Sequence, residues 1–548
     1  TPGGSGWDTP RGSSPPETAA FRALARDYLD DLARWHPDVA TGLGDHRFDG
    51  LLPDLSPDAL ADERRALHGL EARLTAIEPS RLTAEERADA AMMASSIARR
   101  GFELDELREC SWNPLVANPG RAVYLVLARD FAPLPDRLAA AASRLAAIPA
   151  ALAAARAQLR AMPRVHLETA ISQFTGTITL VSGIPATADI DRARPAALAA
   201  LARHRDWLSA RLEDASFEGG FADPRLGPER FARKLSLTVQ AQADAGAILA
   251  RAEADLDRVT GQITELAGSF GGTPREVLGR LAQDVPDAST ILRYCGAALS
   301  SQTGFVRQRD LLTVFDDPVE LIDMPELDRG VSVAYCDSPG PLEEGSLPTF
   351  IAVSPVPRDW SAQRIASFYR EYNRHMVHNL MVHEAMPGHY LQLAHARRFT
   401  ASGTELRAAL RSGSFVEGWA VYAEELMAAH GYPGEGEPRA VRMQQLKMQL
   451  RMTINAILDA RVHANDMTEA QAMALMTERG FQEEGEAAGK WRRALLTSAQ
   501  LSTYYVGYTE VSDLARELLA EPGAAPRDVH DRMLAHGSPP VRLLRTVL

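Results

Sequence analysis

Helical periodicity runs through nearly the whole chain and constrains its fold more than any other feature. Apolar residues recur three and four apart across 20–35, 58–77 and 84–99, and long Ala/Leu/Arg segments follow at 133–161, 194–214 and 229–269. Such spacing gives each segment one apolar stripe, which helix-on-helix packing buries. Only the stretch 330–355 breaks the pattern. Val331-Ser332-Val333-Ala334-Tyr335 and Thr349-Phe350-Ile351-Ala352-Val353 are short, alternating and rich in β-branched residues, so they read as strands around a turn-rich Asp337-Ser338-Pro339-Gly340-Pro341. A helix is then expected from about Ser361, a good N-cap residue, through Leu380 and into a histidine-rich segment. Helical segments resume to the end, one of them a single helix over 486–519. The expected fold is mainly α, with a small β-sheet beside the histidine-bearing helix.

At 548 residues the chain exceeds the size at which one core usually keeps growing. We divide it into an N-terminal segment 1–16, rich in Gly, Ser and Pro and expected to be disordered, a helical region 17–328, and a region 329–548 that carries the sheet and the histidine segment. The net charge of −13 argues against a nucleic-acid binder, which would present a basic face. Cys110, Cys295 and Cys336 are widely separated and form no CxxC pair. We find no apolar run of about 18 residues and expect no membrane span; the alanine-rich stretch 137–160 is interrupted by Arg144 and Arg156. The opening Thr1-Pro2-Gly3-Gly4-Ser5-Gly6 reads as a processed end. A soluble protein is expected, either cytoplasmic or exported with its signal removed, and of unspecified oligomeric state.

The chemistry concentrates in His383-Glu384-Ala385-Met386-Pro387-Gly388-His389. A zinc hydrolase needs three protein ligands, an open position for water, and a carboxylate to take that water's proton. Two histidines and the glutamate after the first supply two ligands and the base: His383, His389 and Glu384. The usual spacing is four residues. Here it is six, which on an ideal helix turns the two imidazoles about 120° apart. Pro387 has no N–H for a helical hydrogen bond, and Gly388 accepts backbone angles that other residues resist. A kink at 386–388 is therefore expected to bring His389 back to His383. On its own, a His-Glu pair with a second His six residues on also arises by chance.

A third ligand strengthens the metal reading. In Phe415-Val416-Glu417-Gly418-Trp419-Ala420-Val421-Tyr422-Ala423-Glu424 the two glutamates are seven apart and share a helix face. Glu417 is the better ligand candidate, and Glu424 is suited to accept a hydrogen bond from a ligand imidazole. The plainer alternative is a pair of solvated helix glutamates. His375 and His378 read as surface or satisfied core histidines, and His395 lacks an acidic companion.

These segments resemble the domain of unknown function 885 family, a bacterial branch of the gluzincin metallopeptidases. The likeness is carried by HExxPGH with Gln392 three residues on, the block Glu417 to Glu424, the opening segments 37–46 and 52–56, and Gln500 with Tyr504-Tyr505-Val506-Gly507. The block also resembles the third-ligand helix of zinc aminopeptidases, which implies Glu417 as ligand and Glu424 behind it. The resemblance implies a helical metallopeptidase-like fold split by a deep cleft, with 17–328 forming one side. It also implies a strand beside the motif helix, for which 349–353 is suitably placed, and whose edge would pair with an extended substrate. Tyr504 is the implied oxyanion donor by its match to the family block, with Tyr505 and His463 as alternatives. Asn455 to His463 departs from the family's Arg-x-x-Asp-Thr-Gly-x-His: Asp459 and His463 match, but Ala460-Arg461 replaces Thr-Gly, and Thr503 replaces a serine.

The expected function is zinc-dependent hydrolysis of a peptide or amide bond. His383, His389 and Glu417 would hold Zn2+ with a water, and Glu384 would act as general base. Two imidazoles and a carboxylate suit zinc, and also admit manganese or cobalt. The substrate is expected to be a short peptide. An amidohydrolase for a specialised small-molecule amide and a catalytically retired peptide-binding protein are the rival readings.

Overall fold

The computed structural model describes residues 16–214, 216, 220–325, 333–356, 360–400 and 405–548. The expected disordered segment lies outside this range but for Pro16, with which the first helix begins, as do Val331 and Ser332 of the first expected strand. The chain is mainly α, with one three-stranded sheet among the described residues. In that sheet β1 (Val319–Asp323) runs parallel to β3 (Thr349–Val353), and β2 (Ala334–Asp337) pairs antiparallel to β3 on its other side, Cys336 facing Ile351. β1 went unrecognised in the sequence because its five residues include Glu320 and Asp323. β3 is the central strand, hydrogen-bonded on both edges, so it cannot take the substrate-pairing role expected of it. The strand that touches the motif helix is β2, at the sheet's edge.

Three large apolar clusters, with a small fourth of Ala88, Met92 and Leu543, account for the packing among the described residues. Helices Leu134–Gln158, Arg164–Ser182 and Ala188–Glu213 form one. The first of these is long and apolar enough to cross a membrane by length and composition. Its Leu138, Leu145, Ile148 and Leu152 are buried in this cluster, however, and Arg144 is buried with its guanidinium donating to Ala122 O and to Thr41 Oγ1. Helices Pro16–Trp35, Pro57–Thr75 and Ala84–Phe102 build the second cluster. The third and largest draws on residues from Phe102 to Leu544 and includes the sheet's inner face. At its centre lies Pro438–Ala464, a helix buried on most sides, from Ala440 to His463.

Expected helices are in fact broken at several points, at two of them by a side chain that competes for backbone groups. The helix from Ser361 does start with that residue's hydroxyl capping Arg364 N–H, but it stops at Glu371. Asn373 accepts from Met376 N–H and donates to Arg370 O, which ends one helix and starts the motif helix, Arg374–Glu384. The expected helix 486–519 is split into Glu484–Leu496 and Ser502–Leu519, where the buried Asp459 carboxylate accepts from the N–H groups of Ala499 and Ser502 and from Ser502 Oγ.

Helix Gly413–Ala429, which carries Glu417, lies almost in backbone contact with Ser502–Leu519. A methyl on Gly507 would sit 1.8 Å from Ser414 O, and one on Gly418 would sit 2.1 Å from the Gly507 carbonyl carbon. Only glycine at both positions permits this approach. The β2–β3 connector is held from the other side. Leu342 N–H donates to Leu43 O, His46 lies between Asp49 and Glu343, and Arg129 donates to the backbone carbonyls of Asp337 and Pro348.

Two outcomes follow from these contacts. Gly507→Ala must push backbone against backbone, so we expect a loss of about 1–3 kcal/mol or more, read as a lowered unfolding midpoint in denaturant. Burial disfavours the charged form of His46, but Asp49 and Glu343 more than reverse this and raise its pKa to about 9. A raised folded-state pKa stabilises fully below the unfolded value of about 6.5 and is lost as pH rises through the folded one. The thermal stability lead of wild type over His46→Gln should therefore be largest at about pH 6 and shrink by about pH 10.

Candidate metal centre

The motif helix ends at Glu384, and the next helix, His389–Thr400, starts within five residues. Between them Ala385 has φ −129° and ψ −71°, and the Met386–Pro387 peptide is cis. Residues 385–388 thus leave the regular helix, as the six-residue spacing requires. Gly388 is packed so tightly that a methyl there would lie 2.0 Å from His383 O. Its N–H donates to Val382 O, and Pro387 O accepts from Trp419 Nε1 at 2.9 Å, tying the turn to the Glu417 helix.

This turn brings His383 and His389 together with ring centroids 4.7 Å apart and planes at 87°. Glu417 Oε2 lies 3.4 Å from Nε2 of each. One donor atom from each of the three residues falls within 4.8 Å of the others, an arrangement that could hold a metal ion. Glu417 Oε2 is buried and has no hydrogen-bond partner among the described residues. A buried oxygen of this kind wants a partner, and two imidazole nitrogens facing it complete an N, N, O donor set suited to a divalent transition metal.

Glu424 stands behind this set. Its Oε1 lies 2.7 Å from His383 Nδ1 and its Oε2 accepts from Asn379 Nδ2 at 2.7 Å. That bond places a proton on His383 Nδ1, so Nε2 is the nitrogen that can offer its lone pair to a bound metal. Burial opposes charging of His383, yet Glu417, Glu424 and Glu384 outweigh it and raise its pKa well above the usual range. Burial likewise opposes the Glu417 carboxylate, but His389 and His383 hold its pKa far below normal. The pocket favours a positive charge at its centre. Glu384 is 7 % exposed. Burial raises its carboxyl above the ordinary value against the pull of His383 and His389, and Cys336 N–H of β2 donates to it.

The other expected residues make their hydrogen bonds to groups outside this cluster. The Tyr504 hydroxyl accepts from Arg493, which also donates to Gln500. Tyr505 donates to Asp255. Buried His463 directs Nε2 at the carbonyls of Ala494 and Thr497, 2.9 and 2.8 Å away, and stacks on Phe231. No hydrogen bond joins these three to His383, Glu384, His389 or Glu417 among the described residues. His378 contacts Tyr432 and Glu435, and His395 contacts Thr313 O. Three contributors escaped the sequence reading: Asn379, Trp419 as a tie to Pro387, and the Cys336 backbone. Asn379 alone had a signal, standing four residues before His383 on the same helix face.

A mainly helical chain in which three helices converge on a His–His–Glu donor cluster is the class that fold and site define. The sequence pattern of a bacterial protein family of unknown function, DUF885, matches residues 37–548, and the chain belongs to that family. No curated protein matches it. Among solved structures it is similar to a candidate lipoprotein of unknown function from Shewanella oneidensis, at 28% identity and a TM-score of 0.81 over 96% of this chain and 99% of that one. A candidate lipoprotein from Colwellia psychrerythraea, 17% identical, shares the fold with a TM-score of 0.78 over 96% and 98% of the two chains.

The donor set is tested directly by elemental analysis. Wild type should carry a divalent metal near one equivalent, and His383→Ala, His389→Ala and Glu417→Ala should each lose it. Glu424→Gln should bind it about 10–100-fold more weakly. A variant among the first three that keeps full metal content is not altered at a ligand.

Proposed function

We propose that this protein is a zinc-dependent, gluzincin-like hydrolase of peptide or amide bonds, acting on short peptides. The observation that carries the reading is Glu417 Oε2, buried without a hydrogen-bond partner among the described residues and equidistant, at 3.4 Å, from two imidazole nitrogens. Zinc bound there would supply a Lewis acid and lower the pKa of a water. His383, His389 and Glu417 would hold the ion, and Glu424 and Asn379 would keep His383 in the tautomer that faces it.

Glu384 follows ligand His383 directly, so it projects about 100° round the helix from it. Its burial raises proton affinity, which suits a group that must take a proton from the attacking water and return it to the leaving nitrogen. The Cys336 N–H keeps the carboxylate in place. For the oxyanion, Tyr504 is better suited than His463. Tyr504 accepts from Arg493, so its own O–H is uncommitted, whereas the His463 Nε2 already serves two carbonyls. The intact set of ligands and base speaks against the retired, binding-only reading. The designation of the Shewanella oneidensis protein as a candidate lipoprotein supports an exported setting.

Glu384→Gln separates base from ligand. Metal content should stay near wild type while kcat on a cleaved peptide falls by about 10²–10⁴-fold or more, with KM little changed. Activity within about threefold of wild type at equal metal content would remove Glu384 from the mechanism.

A further inference from the structure

Beyond the His–His–Glu cluster, a small cavity opens between the β2–β3 connector, the helix His389–Thr400 and the segment that leads into the Glu417 helix. Tyr390, Arg397, Arg411, Ser338, Thr349 and Ser538 are among its lining residues. Two of these are arginines that form no ion pair and no hydrogen bond among the described residues. Arg397 Nη2 is buried and unpartnered. Arg411 is exposed, on the short segment before helix Gly413–Ala429.

The nearby carboxylates are already engaged. Asp337 pairs with Arg129 at 3.1 Å, Asp317 with Arg398 at 2.8 Å, and Glu343 with His46 at 3.0 Å. Arg407, which also borders the cavity, is neutralised by Asp89 and Glu85. Surrounding protein disfavours the charge of Arg397 and lowers its pKa. A guanidinium does not escape this cost by losing its proton. One buried, unpartnered guanidinium nitrogen on Arg397, with the free Arg411 on the same lining, gives the cavity a site for an anion although Asp317 also borders it.

Size and position narrow the choice. The cavity holds about 40 Å³. One water needs about 10–15 Å³ on this scale, so the space fits a group of roughly three heavy atoms, such as a carboxylate. Tyr390, the residue after ligand candidate His389, lines the cavity, and the backbone of Cys336 lies against Glu384. Ser338, two residues along the chain from Cys336, borders the cavity. At about 3.3 Å per residue, an extended peptide beside Glu384 reaches it within roughly two residues.

We propose that Arg397 and Arg411 form a carboxylate-binding subsite that captures the free C-terminus of a peptide, one or two residues beyond the bond that is cut. The inference rests on the hydrolase reading and narrows it to removal of short C-terminal pieces. Charge-assisted hydrogen bonds from a fixed guanidinium fork supply the selectivity.

The test uses a mixed-sequence pentapeptide library made twice, as free acids and as C-terminal amides. Wild-type protein should cut the acids with kcat/KM at least about tenfold higher than the amides, the difference residing in KM. Arg411→Gln and Arg397→Gln, checked for wild-type metal content and circular dichroism, should bring the ratio toward one, and Arg411→Lys should restore part of it. Cleavage of acids and amides within about twofold by wild type overturns the subsite and leaves the hydrolase reading standing. If wild type cuts neither, the hydrolase reading fails, and binding of both libraries to the wild-type protein by calorimetry decides the subsite. Tighter binding of acids, lost in Arg411→Gln, supports it; equal binding or none overturns it.

Discussion

The carboxylate of Glu424 organises the centre of this protein. It is 3 % exposed and accepts from two donors on one face of the motif helix, His383 Nδ1 and Asn379 Nδ2. A buried carboxylate without such donors would be strongly destabilising. Satisfied in this way, it locks two helices in register and sets the tautomer of His383. The direction in which His383 Nε2 points, and therefore the meeting with His389 and Glu417, depends on that bond.

Backbone packing enforces the same geometry from outside. The Glu417 helix cannot move away from or rotate against Ser502–Leu519 without losing the Gly418–Gly507 approach, where no side chain fits. It is also tied to the Pro387 turn through Trp419. The turn leaves the regular helix where two ligand candidates six residues apart must share a centre. On the open side, β2 brings a backbone N–H to Glu384, and the strand's connector is pinned by residues near the chain's start, His46 above all. Residues nearly three hundred positions apart thus bear on the placement of one carboxylate.

Charge follows a consistent plan. Glu384, Glu417 and Glu424 surround two imidazoles and make the centre receptive to a cation. Next to it, Arg397 and Arg411, without carboxylate partners among the described residues, line a cavity suited to an anion. Opposite preferences set side by side suit a ligand with a polarisable carbonyl at one point and a negative end at another.

Much of the centre was legible in the chain itself. Local chemistry names His383, Glu384 and His389, the seven-residue interval pairs Glu417 with Glu424, and Pro387-Gly388 announces a break in the helix, because these depend on neighbours in sequence and on helix geometry. The mainly helical fold follows from apolar spacing for the same reason. Tertiary structure alone decided the rest. β1 is a strand only because β3 lies beside it, and β2 rather than β3 forms the sheet edge near Glu384, since strand order is set by non-local pairing. The breaks at Tyr372-Asn373 and 497–501 depend on side-chain capping, the second by Asp459 from a different helix. The hydrogen bonding of His463 and the lack of a partner for Arg397 and Arg411 among the described residues were likewise invisible, because whether a polar group has a partner is settled by residues far away in the chain that folding carries to it.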